Sequence, residues 1–417
     1  MIQTSYESRR QVRAAVKVTA VETIRPQIQP NLLFVRVHTD DGRIGLGEAF
    51  FGAQAVEAYI HESAADVVLQ AADPTPEAMT QALTPYLGFQ GAGAETRGNA
   101  AIDLALWDLV GQGAGLPLAR LLGGPVRPSV PIYNTCAGPG YIGSNTRQRS
   151  DNWGLPEGTA ADERRWEDLD AFMTRPAALA RELFDEGIRG LKVWPFDRAA
   201  EATGGLTIGD NELRQGLAVI EAIRSEVGMD MNLMVELHGL WSRRAAATII
   251  EALTPYRPYW VEDPMRSDAV DALQTLADSV DVPIACGETA VGRRGFSTLL
   301  RTGAIDVATL DVQWTGGLTE ARKVASLADT YGIPIAPHDC TGPAALAACT
   351  HLTLASPNGL IQETVRAFLR TWYDELVEGL PEIIDGRITT SDEPGHGVRL
   401  RSGLADSDKV DRLVSTL

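Results

Sequence analysis

A chain of 417 residues is long enough for one large barrel, an accessory domain and a sizeable core. Hydrophobic residues make up 44% and charged residues 22%, an ordinary globular balance, and a net charge of −18 argues against a nucleic-acid or anionic-membrane partner, since either would call for a basic face. No apolar run reaches the length of a membrane span and the opening M-I-Q-T-S-Y-E-S-R-R lacks an apolar signal core, so a soluble cytoplasmic protein is expected.

Residues 1–14 are polar and are expected to fray. Strand patterns follow at 16–24 and 32–38, and D-D-G-R at 40–43 turns the chain into a third, I-G-L-G-E-A-F. Helical patterns cover 54–69, 76–87 with Thr75 as N-cap, and 95–113, where Ile102, Leu106 and Leu109 or Val110 share a face. A short helix in P-L-A-R-L-L-G-G ends on a glycine turn at Gly124. Residues 1–128 therefore read as an α+β unit placed before a barrel.

The first barrel strand is expected at 130–136. The segment 137–166 is too long to be a plain connection, and its position after that strand places it over the catalytic face. A helix at 175–186 leads to a second strand, G-I-R-G-L-K-V-W, ending on Lys192 and Trp194. From there short apolar segments recur, most ending on a charged side chain: Glu236, Glu262, Glu288, Asp311, His338 and Glu363. From Glu236 onward the steps are 26, 26, 23, 27 and 25 residues, one strand plus a returning helix each. Helix-like stretches at 241–253, 267–277, 295–302 and 319–331 fill the intervals. Repeated strands and helices with right-handed crossovers close most simply into a (β/α)8-type barrel, whose strand ends share one site. Residues 365–380 are expected to be helical, and 384–400 to form a hairpin returning to the first domain. Thus 1–128, completed by about 381–417, is the expected cap, and 129–380 the barrel.

The site chemistry follows from the side chains. Buried carboxylates need a compensating cation, so Glu236, Glu262 and Glu288 on successive strands imply a bound metal. Their all-oxygen donor set points to Mg2+, with Mn2+ as a substitute. Asp311 can hold one nitrogen of His338 and raise the basicity of the other. His238 follows Glu236 by two residues and, by strand alternation, faces the same way. Lys192 supplies a cation, Glu363 a second acid opposite the metal, and Trp194 a wall. With a carboxylate substrate on the metal, His338 would remove the α-proton while Mg2+, Lys192 and Glu363 stabilise the enediolate. The four cysteines (Cys136, Cys286, Cys340, Cys349) show no C-x-x-C pair and are expected to be reduced. G-G-L at 316–318 lacks the rest of a phosphate-binding fingerprint.

These residues resemble the mandelate racemase branch of the enolase superfamily, from A-A-I-D-L-A-L-W-D-L and L-L-G-G before the barrel to the ordered strand ends within it. The resemblance implies an α/β fold, a (β/α)7β modified TIM barrel with an N-terminal α+β capping domain. It implies Mg2+ ligands at Glu236, Glu262 and Glu288, an Asp311–His338 dyad, and an acid at Glu363. Glu236 departs from the family's frequent Asp. The family's second-strand Lys-x-Lys is here Lys192-Val193-Trp194, which removes the opposing base of the racemases and favours one-base chemistry. An acid ligand followed two residues on by histidine is similar to the acid-sugar dehydratases, whose histidine protonates the departing β-hydroxyl, a role carried to His238. The expected activity is Mg2+-dependent dehydration of a sugar acid, an aldonate, to a 2-keto-3-deoxy acid. The competing readings are a racemase or epimerase using Lys192 with His338, and a non-catalytic ligand-binding relative. A small-molecule carboxylate is the expected partner, with no nucleic acid or membrane, and the relatives' habit implies a homo-oligomer. Selectivity is expected from 25–31, Phe50, Phe51 and the loop 141–153.

Overall fold

The structure is a computed structural model that describes residues 16–84, 93–147, 149–155 and 165–417. The expected frayed N-terminus, residues 85–87 and part of the 137–166 segment lie outside the described residues, and the helix expected at 76–87 is Pro76–Ala82, ending with Leu83 as C-cap. No helix among the described residues is long and apolar enough to cross a membrane.

The N-terminal sheet is an antiparallel meander of β1 (Val18–Pro26), β2 (Leu32–Thr39) and β3 (Ile44–Phe50). The helix Ala94–Ala114 packs so closely on β3 that a Cβ at Gly45 or Gly47 would collide with the Ala105 or Ala101 carbonyl oxygen. This is why that strand reads G-L-G. The helical pattern at 54–69 is three consecutive pieces, Ala53–Tyr59, a π-helical turn at Ile60–Ala64, and Ala65–Leu69.

The larger sheet is parallel: β4 (Val130–Thr135), β5 (Gly190–Val193), β6 (Asn232–Glu236), β7 (Trp260–Glu262), β8 (Ile284–Cys286) and β9 (Val307–Ala308) pair in chain order. Beyond β9 the expected seventh strand is reduced to Ile335, which bridges Ala308 on one side and Gly359 on the other. Next comes β10 (Gln362–Thr364), which pairs in parallel with β4. Helices Arg243–Leu253, Val270–Ala277, Gly292–Arg301, Leu318–Thr330 and Pro343–Ala355 return the chain between strands, and Asp210–Val227 does so between β5 and β6.

Strand periodicity decides what faces inward. Tyr133, Met234, Trp260, Ala285, Val307, Ala336 and Ile361 form a small interior cluster. Their odd-phase neighbours Val193, Val235 and Val261 pack with the surrounding helices in the main core. Two residues above that interior layer stand Thr135, Glu236, Glu262, His338 and Glu363, so the alternation that buries Met234 and Trp260 also turns the acids inward. Gly190 lies in the same phase below Lys192, where an added Cβ would sit 2.5 Å from Tyr133 Cβ.

The C-terminal expectations need correction. Residues 365–380 form two short helices, Arg366–Leu369 and Trp372–Leu376, before β11 (Val377–Glu378), which pairs with β14 (Arg399–Leu400). The hairpin of β12 (Glu382–Ile384) and β13 (Arg387–Thr389) pairs with barrel strand β4, antiparallel, not with the first domain. The return is made by residues beyond it. Gly395 bridges Pro117, His396 lies against the Leu46 carbonyl at 2.7 Å, and β15 (Val410–Ser415) adds to the edge of β1. A hairpin's exposed edge can pair with whichever sheet lies nearer, and that is set by docking, which local sequence does not encode.

Candidate active site

Lys192 Nζ stands 3.0 Å from Glu363 Oε1, 3.1 Å from Glu262 Oε2 and 3.5 Å from Glu236 Oε2. All four side chains are essentially out of solvent. Burial works against the ammonium, but Glu262 and Glu363 beside it push its pKa well above the ordinary lysine value. Glu236, Glu262 and Glu288 each place an oxygen within 4.8 Å of the others. β6 and β7 pair Glu236 directly with Glu262, and Glu288 follows two residues after β8.

Whether this trio fits a divalent cation can be read from its hydrogen bonds. Glu236 Oε2 and Glu262 Oε1 are buried and accept no hydrogen bond, while Glu262 Oε2 accepts from Trp260 Nε1 at 3.0 Å. Burial and the neighbouring carboxylates push Glu262 up to about 8 and Glu288 up to about 7, against the opposing pull of Lys192. Orphaned, buried, all-oxygen donors fit a hard cation such as Mg2+.

Two histidines flank the acids, each held by an aspartate. His338 Nδ1 lies 2.8 Å from Asp311 Oδ2, and its Nε2 3.3 Å from Glu288 Oε2. Asp311 Oδ1 in turn accepts from the backbone N–H groups of Gln313 and Trp314 at 2.6 and 3.0 Å. On the other side His238 Nδ1 lies 2.7 Å from Asp197 Oδ2. Burial opposes its charge, but Asp197 and Glu236 push His238 up to about 10. His238 reaches the cavity by a route other than strand alternation. β6 ends at Glu236, and His238 adopts φ 51°, so that its backbone N–H turns back to donate to Glu236 Oε1 at 2.6 Å.

Glu363 differs from expectation in its hydrogen bonding. Its Oε2 accepts from Asp339 N at 2.8 Å and its Oε1 from Thr135 Oγ1, besides meeting Lys192. Burial raises its pKa, yet Lys192 and His338 outweigh that and bring it down to about 2. Both of its oxygens thus accept hydrogen bonds in this arrangement.

Lys192, Trp194, Glu236, His238, Glu288, His338 and Glu363 line one cavity of about 1000 Å3. Glu262 and Asp311 stand behind its wall. Trp194 is buried against Tyr141, Phe172 and His238, with ring centroids at 5.5, 5.2 and 5.7 Å. Phe51, Tyr141, Ile142 and Thr146 also line the cavity, whereas Phe50, expected beside Phe51, is buried in the core. Asn31 holds that loop instead of facing the cavity, its Nδ2 donating to the Ile142 and Asn145 carbonyls at 2.7 and 2.8 Å. Arg25 is likewise engaged elsewhere, 2.8 Å from Glu57. Of the cysteines, Cys136, Cys286 and Cys349 are buried and Cys340 lines the cavity.

Sequence reasoning did not find Asp197, Arg97, Trp314 or Glu48. Asp197 is the last letter of L-K-V-W-P-F-D, five residues beyond Lys192, so a charged residue closing that motif was a visible signal. Trp314 follows Asp311 by three residues and its backbone N–H donates to that carboxylate; Arg97 and Glu48 had no signal, because their relation to the site depends on how the cap docks.

The chain matches the model of the enolase C-terminal domain-like family over residues 175–404, and that of the mandelate racemase / muconate lactonizing enzyme N-terminal domain over residues 4–123. It is 29% identical to D-galactonate dehydratase of Xanthomonas euvesicatoria pv. vesicatoria across 92% of each chain, and 27% identical to that of Pectobacterium atrosepticum across 93% of each. Among solved structures it is similar to an enolase of the mandelate racemase subgroup from Agrobacterium tumefaciens, with 42% identity, TM-score 0.83, and 96% and 99% of the two chains covered. An enolase protein from Sargasso Sea environmental sequencing is 39% identical with TM-score 0.84, over 96% of this chain and 99% of that one. With both domain models matched in order and their strand ends converging as described, the chain belongs to the mandelate racemase / muconate lactonizing enzyme branch of the enolase superfamily.

Proposed function

We propose that this protein dehydrates a sugar acid of the aldonate type to a 2-keto-3-deoxy acid. The observation that carries the reading is the pair of Asp-held histidines, His338–Asp311 and His238–Asp197, lining one cavity with Lys192 and the three acids between them. The identity to D-galactonate dehydratases supports it.

Glu236, Glu262 and Glu288 would hold Mg2+, whose charge, when bound, anchors the substrate carboxylate and acidifies the α-carbon. His338, oriented by Asp311, takes the α-proton. Lys192 holds its ammonium beside the carboxylate end and offsets the enediolate charge. Glu363, ionised, keeps Lys192 in place. His238 gives its proton to the β-hydroxyl, which leaves as water, and the resulting enol rearranges to the 2-keto acid. Trp194 stands where an opposing lysine would be, leaving that face without a second base.

The test is a library of acid sugars complete in stereochemistry, incubated with Mg2+ and assayed for 2-keto acid by semicarbazide absorbance. Keto-acid formation from at least one member is expected. Exchange of the α-hydrogen in D2O without keto acid would replace dehydration with isomerisation.

A further inference from the structure

The cations of the cavity differ in one respect. Lys192 meets three carboxylates, His238 meets Asp197, and His338 meets Asp311 and Glu288. Arg266 at the rim is bound through two nitrogens to Asp268, at 2.5 and 3.0 Å. Arg97, in the first turn of the helix Ala94–Ala114, also lines the cavity, yet among the described residues its guanidinium makes no hydrogen bond or ion pair. Its Nε is buried with no partner. Its guanidinium carbon stands 5.7 Å from the Trp314 ring centroid, and Asp311 and Glu95 act on it only through space, without a hydrogen bond. In a chain whose 55 acidic residues outnumber 37 lysines and arginines, a hydrogen-bonded carboxylate is easily available, and leaving a desolvated guanidinium without one is costly.

Trp314 fixes where Arg97 lies relative to the chemistry. Its ring is 5.0 Å from the His338 ring and 5.6 Å from that of Phe51. Arg97 thus reaches the cavity from a cap helix, beside the tryptophan that packs on the proposed base. The acid trio and Lys192 reach it from the barrel strands. A sugar acid held by its carboxylate at the acids, with its α-carbon at His338, would extend its far end toward the cap. Guanidinium is suited to that end because its planar set of donors matches carboxylate or phosphate oxygens.

Building on the dehydratase reading, we propose that Arg97 receives a second anionic group, so that the substrate is an aldonate skeleton carrying a carboxylate or phosphate at its far end. Burial depresses the basicity of Arg97, and an anionic ligand would relieve that cost.

The test uses the Mg2+-loaded His338→Asn protein, in which turnover is removed and binding can be read by calorimetry. For each six-carbon configuration, the aldonate, the corresponding aldarate and the 6-phosphoaldonate are compared, with Arg97 intact and as Arg97→Gln and Arg97→Lys. In at least one configuration a dianion is expected to bind about 10-fold or more tighter than the aldonate. That preference should vanish in Arg97→Gln and survive in part in Arg97→Lys, and the better dianion tells carboxylate from phosphate. Equal binding of mono- and dianions, a preference untouched by Arg97→Gln, or no dianion binding at all would overturn the proposal. Turnover by the unmodified enzyme separates the two readings: keto acid formed from aldonates alone removes the distal anion and keeps the dehydratase, whereas Arg97-dependent dianion binding without keto acid from any sugar acid does the reverse.

Discussion

Glu48 and Gln313 are 265 residues apart in sequence, yet Gln313 Nε2 donates to Glu48 Oε1 at 2.9 Å. Glu48 also accepts from Ala344 N and Ala345 N at 2.9 and 2.8 Å, in the first turn of the helix Pro343–Ala355. Because the Gln313 backbone N–H supports Asp311, the cap sheet is connected through buried hydrogen bonds to the aspartate that orients His338.

Glu48→Gln puts an amide donor among those N–H groups. The turnover number should fall on the order of 10- to 100-fold with little change in KM, the size expected when a catalytic group is slightly misplaced. A lower Tm with an unchanged turnover number would make Glu48 a structural latch only.

The acid trio makes a separable claim. At a Mg2+ concentration of 100 Kd the wild type should gain about 2.7 kcal/mol against unfolding. Glu262→Gln should weaken Mg2+ binding by about 100-fold or more, since loss of even an outer-shell group costs 10- to 100-fold. Calorimetry reads this directly, and an unaltered affinity would remove Glu262 from the ligand set.

Asp197→Asn leaves an acceptor for His238 Nδ1 but takes away the charge that sustains its basicity. Loss of the hydroxyl should slow by about 100-fold, the lower range for a general acid. Exchange of the α-hydrogen, assigned to His338 in the proposed reaction, should slow much less. Equal slowing of both would mean that Asp197 serves the whole site and not the acid step.

Acid sensitivity has a marker outside the site. Burial pushes His351 down to about 3, and its Nδ1 accepts from Ala119 N at 3.1 Å. With a folded pKa below the ordinary 6.5, the unfolded chain binds the extra proton, so the stabilisation is complete above pH 6.5 and declines as pH falls toward 3. The limiting slope is about 1.4 kcal/mol per pH unit. His351→Asn keeps an acceptor and removes the titration, so its stability should fall less steeply than the wild type's over this window. Parallel curves from urea unfolding at several pH values would assign the acid sensitivity elsewhere.

The acids were legible because they obey two periodicities at once: about 26 residues along the chain, and alternation within each strand. Glu236 and Glu262 end strands that pair them in register. Asp311 and His338 were found even though their strands shrink to Val307–Ala308 and a bridge at Ile335, because the chain spacing persists where the ladder does not. Residues that reach the site by docking leave no such trace. Arg97 sits in an ordinary helical turn and Glu48 in an ordinary strand, and each acquires its meaning only when the cap meets the barrel. The last strand was hidden for another reason: V-D-R-L-V-S is mostly exposed and carries no sign of burial.

That strand also has a consequence for biosynthesis. Among the described residues β15 is the only partner of β1 on that side, with Val21 opposite Ser415 and Pro26 opposite Val410. A ribosome makes β1 before the parallel sheet and β15 after it. For roughly 20 to 80 s at ordinary elongation rates, the nascent chain carries a bare row of N–H and C=O groups that can template pairing with a neighbour. Shielding of that edge while the rest is being made is thus a requirement separate from the strength of the finished core.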